Sequence, residues 1–145
     1  MSQLTHFYSY ATRVSLELPV AFSSVAETSS SATYAALDAD DELTAESPAL
    51  QVQVVGGVPT DDPDGTASVA RLADQLAAGG TVLSRTDRIV DECPVTSVEL
   101  ERDGGYLHLS AAAADGRLLS LAARGPRDSA PIWNATISSL RFITL

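Results

Sequence analysis

The side chains able to do chemistry are sparse enough to weigh one at a time. His6 and His108 are the histidines and Cys93 is the single cysteine. Within Gly105 to Ala114, Tyr106, His108 and Ser110 alternate with Leu107, Leu109 and Ala111. A strand there sets the first three on one face, where they can line a pocket. Ser110 and His108 stand at i and i+2, poor geometry for a nucleophile and its base, and no serine lies in a recognised nucleophile motif. Cys93 follows Glu92, and neighbouring carboxylates hold a thiol protonated, so it reads as inert. A lone cysteine makes no internal disulfide and no CxxC metal knuckle. Gly56-Gly57 and Gly79-Gly80 lack the residues that turn a glycine pair into a phosphate loop.

The carboxylates are more concentrated. Asp61-Asp62-Pro63-Asp64-Gly65-Thr66 has the acid-then-glycine character of a calcium loop. The alignment fails: with Gly65 sixth, Thr60 falls at the first ligand position and Arg71 at the twelfth. The segment reads as a solvated turn into a helix, and neither metal nor cofactor is expected. A second cluster holds Asp38, Asp40, Asp41, Glu42 and Glu46, and no basic residue occurs between Arg13 and Arg71. A field of one sign steers oppositely charged partners. Asp40, Asp41, Glu42, Asp61, Asp62 and Asp64 are therefore the candidate docking residues for a basic segment of another protein. The same charge also serves solubility.

The net charge is −10, and all nine basic residues are arginines. Such a chain repels nucleic-acid backbones and anionic lipid headgroups, so neither nucleic acid nor membrane is an expected partner. No apolar run approaches the ~18 residues of a membrane span, and the first ten residues lack the pattern of a secretion signal, giving a cytoplasmic expectation. The absence of lysine beside abundant alanine points to a high-GC bacterial genome. At 145 residues the chain fits one domain over 1–145, as a monomer or homodimer.

The elements that must position these residues follow from periodicity. Val14, Leu16 and Leu18 alternate with Ser15 and Glu17 in a strand over Arg13 to Leu18 that Pro19 ends. Ala32 to Leu37 and Leu50 to Val55 read as two more, after which Gly56 and Gly57 release the chain. From Thr66 to Ala78 the period changes, with Val69, Leu72, Ala73, Leu76 and Ala77 on one helical stripe. Asp64 or Thr66 is placed to cap that helix and Gly79 or Gly80 to end it. Strands over Thr81 to Val90, Val95 to Arg102, Gly105 to Ala114 and Arg117 to Arg124 follow. Asp103-Gly104 and Asp115-Gly116 mark hairpin turns between them. Pro131 opens a last short helix carrying Trp133, Ile137 and Leu140.

Val14-Ser15-Leu16-Glu17-Leu18-Pro19, the central helix, Gly104-Gly105-Tyr106 with Arg117-Leu118-Leu119, and Ile137-Ser138-Ser139-Leu140-Arg141-Phe142 together resemble the PsbP-like superfamily. That group holds the photosystem II extrinsic protein, a small Ran-binding import factor and many bacterial proteins. The resemblance implies an α+β fold, an α/β/α sandwich around a central antiparallel sheet of about six to seven strands with two main helices. It also implies a mostly non-catalytic family, whose bacterial members beside secretion effectors act as chaperones or adaptors. The expectation is a non-enzymatic protein-binding module, an adaptor or chaperone. The alternative is a domain that binds a small molecule or cation near His108.

Overall fold

The structure, a computed structural model, describes residues 4–19, 22–36 and 48–143. Its strands are β1 (Leu4–Ser9), β2 (Val14–Pro19), β3 (Phe22–Glu27), β4 (Ser31–Ala36), β5 (Ala49–Gly57), β6 (Thr81–Val90), β7 (Cys93–Arg102), β8 (Gly105–Ala114), β9 (Arg117–Gly125) and β10 (Arg141–Phe142). Helix α1 (Thr66–Ala77) separates β5 from β6, and α2 (Ala130–Ser138) follows a single 3-10 turn after β9. A seven-stranded antiparallel sheet runs β3-β4-β5-β9-β8-β7-β6, and a three-stranded sheet runs β1-β2-β10.

The pleat of the large sheet sends alternate side chains into two cores. One holds Leu50, Val52, Leu119 and Leu121 against Leu16 and Leu18 of β2 and Trp133, Ile137 and Leu140 from the α2 region. Phe22 meets Trp133 edge-on, with ring centroids 5.5 Å apart. The other core places Val98, Leu100, Leu109 and Ala111 under Val69 and Ala73 of α1. Strand β8, between β9 and β7, is covered on both faces, which is why nearly all of it is buried.

The expected α/β/α sandwich needs correction. Helix α1 lies on one face of the large sheet, over β7, β8 and β9. The opposite face is covered by the small sheet together with α2, so the molecule is chiefly antiparallel sheet with two helices. β1, β3 and β10 are absent from the sequence reading because their signals are faint. β3 is exposed beyond Phe22, and the two-residue β10 is defined only by pairing to Ser15 and Val14. β5 also runs through Gly56 and Gly57 instead of ending before them, with an irregularity between Val54 and Gly56.

The hairpin turns at Asp103-Gly104 and Asp115-Gly116 have positive φ at both residues, as a type I′ turn requires. The β6–β7 turn does the same with Asp91 and Glu92, at φ 50° and 68°. A left-handed conformation is costly for most side chains, though aspartate is among the few that visit it. Asp91 Oδ2 accepts the backbone N–H of Phe142 at 3.0 Å, so a tertiary bond helps hold this turn.

Candidate functional site

The registers of β6 with β7 and β7 with β8 lay three rows across the face that meets α2. Arg88, Val95 and Ala112 form the first, Thr86, Ser97 and Ser110 the second, and Ser84, Glu99 and His108 the third. Arg88 apart, the rows pass from apolar through hydroxylic to ionisable toward His108. Asn134, Ile137 and Ser138 of α2 close the site from above, leaving a polar cavity of about 200 Å³.

His108, Arg88 and Ser97 are each held by a neighbour. The His108 ring is 4% exposed, and its Nε2 lies 3.2 Å from Asn134 Oδ1. With that oxygen accepting, Nε2 carries the proton and Nδ1 is an acceptor. Nδ1 is buried and has no hydrogen-bond partner among the described residues. Burial pushes the His108 pKa below its ordinary value and Arg88 pushes in the same direction, against the opposing pull of Glu99 and Asn134. Arg88 Nη2 donates to the carbonyl of Ile137 at the α2 C-terminus, where a cation also complements the helix dipole. The Ser97 and Ser110 hydroxyls share a hydrogen bond of 2.8 Å.

Of the predicted pocket trio, only His108 lines this cavity. Ser110, 1% exposed, is spent on Ser97 behind it. Tyr106, also buried, borders a different cleft of about 610 Å³ with Arg102, Asp103, Gly105 and Arg124. Its hydroxyl pKa is raised, first by burial and then by Glu99. Alternation along one strand assigns a face, whereas Arg88, Glu99 and Asn134 reach the cavity through strand register and helix docking. The sequence carried no signal that would bring these three together.

The acidic candidates divide. Asp40, Asp41 and Glu42 lie outside the described residues. Asp62 Oδ2 accepts the Ser68 N–H at 2.7 Å and Asp64 Oδ1 the Thr66 N–H at 3.1 Å, so both satisfy donors of the first α1 turn. The N-cap position itself belongs to Gly65, not to Asp64 or Thr66. The bond with Ser68 lowers the Asp62 pKa. Asp61 is exposed beside them. Cys93 has a raised thiol pKa, from burial first and then from Asp91, Glu92 and Asp115. No helix among the described residues is long and apolar enough to cross a membrane.

No protein-family profile matches the chain, and no curated protein matches it in sequence. Solved structures do match in fold. A solution structure of cyanobacterial PsbP (CyanoP) from Synechocystis sp. PCC 6803 superposes with a TM-score of 0.61 at 13% identity, covering 99% of this chain and 94% of that one. A crystal structure from Bacteroides thetaiotaomicron gives 0.56 at 12% identity, covering 99% of this chain, which spans 50% of that longer protein. The chain has a PsbP-like fold.

Proposed function

We propose that this protein is a non-enzymatic binding module whose cavity between α2 and β6, β7 and β8 takes a small zwitterion, a molecule with one acidic and one amino group. The observation that carries the reading is the convergence of Arg88, Glu99, His108 and Asn134 on a sheet face otherwise given over to the apolar core. Buried polar groups reduce stability unless their hydrogen bonds are met, and the open acceptor at His108 Nδ1 leaves one unmet. Arg88 suits a carboxylate, Glu99 an ammonium group, and the hydroxyls of Ser84, Thr86 and Ser97 suit the remaining polar edges. A cavity of about 200 Å³ matches molecules of amino-acid size. Ser110 and His108 bond to Ser97 and Asn134, not to each other, which supports binding over nucleophilic catalysis.

The reading that acidic loops dock a basic protein segment has less behind it, since two of the three described acids serve α1. A thermal-shift series with free amino acids, simple carboxylates and simple amines tests the proposal. Amino acids should raise the melting temperature of the wild type, with little response in Glu99→Gln. Equal responses from the two proteins, or none from either, would reject it.

A further inference from the structure

One edge of the large sheet is β6, ten residues long and exposed along most of its length. Val82, Leu83 and Ile89 are 52%, 50% and 69% exposed, large apolar side chains on a strand that presents an unpaired backbone edge. α1 packs over β7, β8 and β9, and among the described residues no strand pairs with the outer side of β6. An edge of this kind is a template for another strand.

The sequence of β6, Thr81-Val82-Leu83-Ser84-Arg85-Thr86-Asp87-Arg88-Ile89-Val90, specifies which strand. From this we infer that β6 pairs antiparallel with β6 of a second copy of this chain, about a two-fold axis at Thr86. That register sets Arg85 against the second copy's Asp87 and Asp87 against its Arg85. It sets Arg88 against the second copy's Ser84, twice over by symmetry, whereas Leu83 lies at the irregularity of β6 where alternation breaks. Opposite charges facing across antiparallel strands stabilise the ladder, and like charges there destabilise it.

Keeping the two sheets continuous requires the axis to fall on a residue, since facing side chains must share a face. Moving it one residue toward the N-terminus puts Arg85 against itself, and one residue the other way puts Asp87 against itself. The charges that shield an edge from indiscriminate pairing thus admit this register and reject its neighbours. The irregularity between Val82 and Ser84 in the β6–β7 register limits how far the ladder extends. Within one chain Arg85 Nη1 meets Asp74 Oδ1 at 2.5 Å, and Asp87 accepts from Thr96 Oγ1 at 2.7 Å. Both acids and Arg85 remain exposed on the rim and open to a second contact.

Sedimentation equilibrium of the whole chain provides the test, with circular dichroism to confirm that each variant is folded. The wild type should show a concentration-dependent monomer–dimer equilibrium. Arg85→Asp and Asp87→Arg should each weaken dimerisation at least tenfold, since each homodimer then faces like charges twice. Mixing these two variants should restore a dimer, because one chain then offers two acids and the other two arginines. The double variant Arg85→Asp/Asp87→Arg should dimerise as the wild type does. A wild type that stays monomeric to millimolar concentration overturns the inference. So does a dimer indifferent to the charge reversals, or a mixture of the single variants that fails to associate.

Discussion

Burial above all, with Arg88 adding to it, disfavours a second proton on the His108 imidazole against the opposing pull of Glu99 and Asn134. The His108 pKa in the folded protein is below that of the unfolded chain, which is about 6.5. The unfolded state therefore takes up the proton first as pH falls. The His108 contribution is fully present above about pH 6.5 and is lost as pH drops toward the folded pKa. Chemical denaturation at pH 7.5 and pH 5.5 should show wild-type stability declining over that interval, with a smaller decline in His108→Gln. Equal declines would mean that the ring titrates normally in place. Asp62 acts lower on the scale by the same rule for a depressed pKa, its contribution fading below about pH 4. At this scale the sequence was informative about the kind of residue and its face. Depth was hidden: Tyr106, His108 and Ser110 share a face as alternation requires, yet β7 and α2 divide them among a cleft, a cavity and a buried hydroxyl pair.

Helix α1 shows how an element can be legible while its anchoring is not. The stripe from Val69 to Ala77 predicts both its extent and its buried face, but Gly65 begins it in a left-handed conformation at φ +77°. A Cβ added there would stand 2.3 Å from the Cβ of Ala113. Gly79, just past the helix, has φ +82° and open space around it. Gly79→Ala should therefore lose only the conformational term, about 1–2 kcal/mol. Gly65→Ala adds overpacking against β8, for a total of about 2–5 kcal/mol. Urea denaturation of the two variants side by side decides this, and equal losses would mean that α1 shifts freely on the sheet. No periodicity reveals this glycine's neighbour, because Ala113 lies on a strand far along the chain. The meander was readable for the opposite reason: Asp103-Gly104 and Asp115-Gly116 connect partners adjacent in sequence, so local turn chemistry determines the pairing.

Across the whole molecule, strand pairs differ in how far apart they lie in sequence. β6 to β9 pair each with the next, whereas β2 pairs with β10 from the opposite end of the chain, and Ile143 donates its N–H to the Arg13 carbonyl. That distance is why the β2–β10 pairing was illegible and why α2 is not the sole cover of its face. It also gives assembly an order. Closing a long loop costs entropy that grows with its length, so the meander should form in the folding transition state and the β2–β10 contact after it. Stopped-flow kinetics should find that Leu109→Ala mainly slows folding, while Leu16→Ala mainly speeds unfolding. Leu16→Ala slowing folding as much as Leu109→Ala would reverse this order. During synthesis on the ribosome, the buried leucines of β2 emerge long before residues 130–143 exist to cover them. Until those residues emerge, the chain holds an apolar strand without its seat.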